Sequence, residues 1–196
     1  MVTSATLPGL LVLVLSLPPL DGAGHWLQQD VPMVPSIRMA DGRMWTARNL
    51  DVVTEGSYCY DGVEANCHRY GRLYTWAPAQ RVCATLGQGW RLPSNEEWRE
   101  LGRHYGGIRQ DSADLGRAAY EALREGGRSG FEALLGGGRE PDGTYARGEA
   151  HGFFWSASET DESHAWMYNL GKNGQSFGHH ANGEKDRAIS VRCVRQ

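Results

Sequence analysis

Lysine is almost absent from this chain. Of 20 basic residues only Lys172 and Lys185 are lysine and the rest are arginine, a bias we read as genome composition before function. A basic surplus is missing too: the formal net charge is -3 over 196 residues, with no long run of one sign. Nucleic acid and anionic membrane surfaces both need a concentrated basic patch, so neither is an expected partner. The one long apolar run, "LLVLVLSL" from Leu10 to Leu17, falls well short of the roughly 20 residues that span a bilayer. No cysteine precedes Cys59, so no lipid-anchored cysteine follows that run. Cysteine pairs at knuckle spacing are absent, which argues against structural zinc. There is no fixed-period repeat, phosphate loop, Ser/His/Asp arrangement or paired-carboxylate pattern, and no cofactor is expected.

What is present begins at the N-terminus. The apolar run, then Pro18, Pro19 and the small residues Gly22-Ala23-Gly24, resembles a secretory signal that lacks only its positive n-region. This predicts residues 1–23 as a signal cleaved near Ala23 or Gly24, 24–36 as a leader, and 37–196 as one domain of a secreted or cell-surface protein. Four cysteines in an exported chain predict two disulfides, and four cysteines permit three pairings. Cys59 and Cys67 flank the short polar turn "YDGVEAN" and are expected to pair locally, which leaves Cys83 with Cys193.

Asp41-Gly42 between two short runs signals a hairpin. Trp76, Ala79, Cys83 and Leu86 fall at helical spacing, with Pro78 in the first turn and Gly87 as the stop. In "GWRLPSNEEWREL" (Gly89 to Leu101), Ser94 and Glu97 form a capping box for a second helix that buries Trp98 and Leu101 and closes at Gly106-Gly107. A third helix is expected over about Ser112 to Arg124. Beyond Gly126, "FEALLGG", "FFWSAS", "HAWMYNL", "QSFGHH" and "AISVRCV" read as strands of a twisted antiparallel sheet. In the last of these, Ile189, Val191 and Cys193 alternate as in a half-buried strand.

In order, "DGRMWTARNL", "YCYDGVEANCHRYGRLYTWAPA", "GWRLPSNEEWREL", "SGFEALLGGGR", "FFWSAS" and "ISVRCVR" resemble the Fibrobacter succinogenes major paralogous domain, over about Ile37 to Gln196. The resemblance implies an α+β, disulfide-stapled, C-type lectin-like fold: two to three helices on a small antiparallel sheet, with Cys83 bridged to Cys193. It also implies an exported surface protein without an established activity. The stretch before the last strand, which holds Asp161, Glu162, Glu184, Lys185 and Asp186, departs from the Ser-, Tyr- and Asn-rich pattern of relatives.

Each motif that suggests chemistry also has a plainer reading. The formylglycine-generating enzymes share a similar "RLP…EW" stretch, but need reactive cysteines in the C-terminal half; only Cys193 lies there, and a buried staple is not reactive. Glu140-Pro141-Asp142 matches part of a lectin calcium loop, yet Pro-Asp-Gly is itself a turn signature. His164, His179 and His180 suit transition metals, but neighbours on a strand point to opposite faces. No metal site is expected. What remains is distributed: Glu159, Asp161, Glu162, His164, Met167, Tyr168, Asn169, Asn173, Gln175, Phe177, His179, His180 and Asn182 are the expected ligand-binding residues, with Trp166 assigned to the core. Aromatic residues supply rigid contact area there and amides supply adaptable hydrogen bonds. The expected function is recognition of a surface protein or glycan, through a segment open to diversification by adenine-mutating retroelements. A structural envelope component is the alternative.

Overall fold

The structure, a computed structural model, describes residues 34–87 and 89–196. The expected signal and residues 24–33 of the leader lie outside the described residues.

The Asp41-Gly42 turn joins β1 (Ser36–Arg38) to β2 (Met44–Thr46). Gly42 takes a φ of +81°, which only glycine adopts freely. Asp41 accepts hydrogen bonds from the Arg43 backbone at 3.0 Å and from the Trp45 indole at 3.0 Å, so the turn is tied to the core. After β3 (Ser57–Tyr58) comes a helix with no clear sequence signal, α1 (Glu64–Tyr70). Its seven residues bury only Cys67 and Tyr70, too few positions to make a periodic pattern. β4 (Leu73–Tyr74) leads to α2 (Trp76–Val82), which tightens into a 3-10 turn over Cys83–Leu86 and stops at Gly87.

"GWRLPSNEEWREL" leads into α3 (Asn95–His104) and caps it. Ser94 Oγ accepts from the Glu97 N–H at 3.2 Å, and Glu97 Oε2 accepts from the Ser94 N–H at 2.9 Å. Arg91 closes on the same carboxylate at 2.7 Å, and Arg43 Nε lies 3.3 Å from it. Burial pushes the Glu97 carboxyl up, but the Arg91 bond, followed by the cap contacts, holds it below the usual range. α4 (Arg117–Leu123) starts five residues later than expected. Leu115 and Gly116 take φ of +58° and +76°, and a right-handed helix cannot run through two left-handed residues. Ser112 and Asp114 side chains accept from the Gly116 N–H there instead.

β5 (Gly138–Arg139) and β6 (Tyr145–Ala146) pair across the Pro141-Asp142-Gly143 turn. β7 (His151–Glu159), β8 (His164–Gly171), β9 (Ser176–Glu184), β10 (Ile189–Ser190) and β11 (Val194–Arg195) complete the chain. Among the described residues the fold is therefore α+β, with four helices and three sheets. The largest sheet runs β3-β4-β10-β7-β8-β9; a second runs β1-β2-β11. The expected all-antiparallel sheet needs correcting, because β10 runs parallel to β7. "FEALLGG" is not a strand either; Phe131 and Ala133 are core residues, and Ala133 makes a single bridge to Arg124.

The large sheet has a core on each face. Trp98, Phe131, Phe154, Tyr168, Leu170 and Phe177 fill one; Tyr74, Val82, Phe153, Trp155, Met167 and Ile189 fill the other. Trp98 sits at the centre of the first. It stacks on Tyr168 at 5.3 Å, meets Trp45 edge-on at 4.9 Å, and donates to the Trp155 carbonyl at 3.1 Å. Cys59 bridges Cys67, and Cys83 bridges Cys193 within the second core.

"AISVRCV" divides between two sheets, and the expected half-buried alternation fails: Ile189 to Val194 are all buried, Ser190 and Arg192 included. The Arg192 guanidinium replaces its water shell with Asn49 Oδ1 at 2.7 Å, the carbonyls of Thr46 and Phe131 at 2.7 Å each, and the Glu132 carbonyl at 2.6 Å. It also lies 4.3 Å over the Phe131 ring. Burial pulls its pKa down to about 9.

Candidate functional site

Residues 159–186 form mostly strand. β8 and β9 make a long hairpin, with β9 at the edge of the large sheet, leaving turns at 160–163 and 172–175. The hairpin sorts the expected binding residues by burial. Met167, Tyr168 and Phe177 are buried core residues and are corrected out of the binding set. Trp166 is the converse correction: assigned to the core, it is half-exposed, its ring 4.6 Å from that of His179. The reason is the two-sided sheet. Where both faces are covered, apolar residues fill consecutive positions and alternation stops marking the surface. A bulge opposite Trp166, where β9 carries both Ala181 and Asn182, further shifts the register.

Several polar residues close their own turn. Asp161 accepts from the N–H groups of Ser163 and His164, at 2.7 and 2.8 Å, and meets His164 Nδ1 at 2.9 Å. The His164 hydrogen bond, then the backbone ones, hold the Asp161 carboxyl below its usual range. Lys185 Nζ gathers Glu159 at 3.0 Å and the carbonyls of Asp161 and Glu162 at 2.8 and 2.9 Å. The side chains of Glu159, Asp161 and His164 thus serve the tip itself. Glu162, Asn173 and Asn182 are exposed, and Gln175 is half-buried in the second turn.

Asn169 and His180 stand apart, because the structure joins them to residues the sequence did not single out. Register places Phe153 beside Asn169 and Asn169 beside Gly178 across the three strands. On this face His180 Nε2 lies 3.0 Å from Asn169 Oδ1, and Asn169 Nδ2 lies 3.3 Å from His151 Nδ1. An amide oxygen only accepts and an amide nitrogen only donates, so both imidazoles carry their proton on Nε2. His180 Nδ1 and His151 Nε2–H remain unspent in this chain of bonds. The His151 ring stacks on buried Phe153 at 5.3 Å.

These residues floor a cleft of ≈ 290 Å³, also lined by Arg109, Gln110, Arg147, Gly171, Gly174, Ser176 and Gly178. The glycines keep the floor open. A Cβ on Gly171 would sit 3.1 Å from His151 Cε1, and one on Gly178 would sit 3.2 Å from Arg109 Cβ. Both flanking arginines have a fixed backbone. The Arg109 N–H donates to Phe177 O at 2.7 Å, beside a Gln110 side chain bonded to the His179 carbonyl at 2.8 Å. Arg147 takes a φ of +63°, uncommon outside glycine, while its carbonyl accepts from Ala150 and His151. A third arginine, Arg187, lies 4.5 Å over Phe153 and pairs with Glu140 at 2.9 Å. Burial, then the field of Arg147, lowers the pKa of both His151 and His180; His180 keeps an exposed edge, but the cleft wall desolvates the rest of its ring. Both imidazoles are therefore neutral at pH 7.

Arg109 comes from one segment and Arg147 with His151 from another, four residues apart across one turn, and none belongs to a recognisable motif; only the sheet register and two turns bring them together. Among the described residues, Cys59, Glu64 and Cys67 have metal-ligand spacing, but both sulfurs are in a disulfide and offer no thiolate. The Glu140-Pro141-Asp142 stretch is a turn closed by Asp142, which accepts from the Thr144 N–H at 2.9 Å.

Among the described residues, no helix is long and apolar enough to cross a membrane. No curated protein matches the chain. The family model for the Fibrobacter succinogenes major domain matches residues 22–195, nearly the full length and the region in which the quoted motifs lie, and the chain belongs to that family.

Proposed function

We propose that this chain is an exported, non-enzymatic recognition domain with a C-type lectin-like fold. It binds a surface protein or glycan through the hairpin of residues 159–186. The observation that carries this reading is the cleft on one face of the hairpin, where unspent hydrogen-bonding groups converge on a frame stapled by two disulfides. Concave sites with a few convergent polar groups are where ligands bind. The rival formylglycine-generating chemistry needs a free thiol, and Cys193 is bonded to Cys83. Asn169, Asn173 and Asn182 suit a segment diversified by adenine-mutating retroelements, for which a neighbouring near-copy of the coding stretch differing at adenines is the test.

The direct test is a glycan and surface-protein binding screen on the secreted chain, repeated with Asn169, Asn173, Gln175, His179, His180 and Asn182 changed together to Ala or Ser. A folded variant that has lost the ligand is the expected result. A folded variant that binds normally moves the site off the hairpin, and a variant that cannot fold makes these residues scaffold, favouring a structural role in an envelope.

A further inference from the structure

The cleft has a charge pattern that narrows its ligand. Arg109 and Arg147 flank it, two histidines floor it, and no carboxylate lines it. Among the described residues neither arginine pairs with an acid, whereas Arg187 nearby is held by Glu140. The hollow at the other end of the hairpin is the reverse: Glu162, Glu184 and Asp186 line it, with only Lys185 and His164 to balance them. Guanidinium groups present planar forks of donors that match a carboxylate, sulfate or phosphate. An anion alone would satisfy only the arginines. It would leave the His151–Asn169–His180 chain, which offers both an acceptor and a donor, without a partner. Adjacent donors and acceptors fit hydroxyl groups, which are both at once. Size adds a third restriction. At ≈ 290 Å³ the cleft lies at the lower edge of small-molecule sites, and so takes one small unit rather than an extended chain. Its floor is glycine and imidazole, with the Phe153 ring buried beneath, so no large aromatic face lies open to a ligand.

We infer that this cleft binds a carboxylated sugar, a hexuronate unit of an acidic glycan, with Arg109 and Arg147 on the carboxylate and His151, Asn169 and His180 on the ring hydroxyls. The inference rests on the recognition reading above and assigns its ligand class. The arginine backbones are fixed before binding, so the ligand need order only the two side chains.

Isothermal titration calorimetry on the full secreted chain at low salt tests it. The probes are methyl glucuronide, methyl galacturonide, a trigalacturonate, methyl galactoside, triglutamate and inorganic phosphate. The expected result is saturable binding of at least one uronate probe, with no measurable binding of methyl galactoside. That affinity should fall at least ten-fold in the Arg109→Gln/Arg147→Gln variant and in Asn169→Ala. It should be unchanged in Arg103→Gln, which removes an exposed arginine elsewhere, paired with Glu96. Trigalacturonate binding where the monomers fail marks a chain-borne unit as the source; monomer binding marks the free sugar. The inference is overturned if no uronate binds, if methyl galactoside, triglutamate or phosphate binds as tightly, if the double variant binds normally, or if Arg103→Gln weakens binding equally. Should no uronate bind while a screen ligand is still lost in the hairpin variant, the ligand assignment fails and the recognition reading stands.

Discussion

Residues 89–101 and residues 159–186 look alike as sequence, each mixing tryptophan with polar side chains, and the structure uses them in opposite ways. In the first stretch nearly every group is spent on the frame. Ser94 and Glu97 cap α3, Arg91 completes Glu97, and Trp98 is fully buried among five aromatic rings. In the second, Tyr168 and Phe177 serve the same core, while Trp166, Asn169, His179 and His180 keep accessible surface. The difference is position on the sheet. The first stretch packs over β7 and β8, and the second forms the edge of the sheet. A residue's type says what it can do; the layer above it decides whether that capacity is spent inside the protein or left for a ligand.

The sharpest way to break this contrast is to compare aromatic residues. Trp98→Ala should lower stability by roughly 3–5 kcal/mol, and Phe177→Ala by a similar amount, because both leave cavities in a packed core. Trp166→Ala should cost under about 1 kcal/mol, because its ring is half-exposed. Urea denaturation of the three variants checks this, and a Trp166→Ala loss as large as that of Trp98→Ala would erase the distinction. Replacing Cys83 and Cys193 together by Ala should cost about 4–5 kcal/mol on chain-entropy grounds, since the bridge closes a sequence separation of 110. Non-reducing peptide mapping should recover Cys59–Cys67 and Cys83–Cys193.

A pH series separates the two regions along another axis. The pKa values of His151 and His180 are lower in the folded chain than in the unfolded one, so on acidification the unfolded state takes up protons first. Stability should therefore be full above about pH 6.5, the ordinary imidazole value, and fall below it. Glu97 in the other region also has a lowered pKa, but as a carboxylate. Its contribution is present above the ordinary glutamate range and is lost as pH falls through its folded value. Asn169→Ala, which removes the link between the imidazoles, should alter the first phase and leave the second. Denaturation midpoints from pH 8 to 3 would show it, and a wild-type curve without a histidine phase below the ordinary imidazole value would contradict the cleft electrostatics. Ser94→Ala should cost about 1 kcal/mol for the lost cap. The six-residue hairpin variant should stay within about 1–2 kcal/mol of the parent, provided Phe177 is kept.

Signals carried by neighbouring residues are legible in the chain by itself. Asp41-Gly42 specifies its hairpin because a left-handed turn needs glycine, and Ser94 with Glu97 specifies the start of α3 because two orphan N–H groups sit within one turn of two acceptors. Cysteine spacing anticipates both bridges, since a short polar segment can close on itself and leaves the remaining pair for the long staple. The family is legible from ordered motifs, which need no contacts to be recognised.

Tertiary structure alone decided the rest. The parallel pairing of β10 with β7 and the division of "AISVRCV" between two sheets join segments far apart in the chain, and no local pattern encodes them. Arg192 reads as a surface residue until Thr46, Asn49, Phe131 and Glu132 converge on its guanidinium. Which aromatic residues of the hairpin are core, and which polar ones face the cleft, follows from a sheet covered on both faces and a one-residue bulge. Side-chain alternation names two faces but not which of them meets water; packing settles that, by bringing Arg109, Arg147 and His151 to the side where Asn169 and His180 lie.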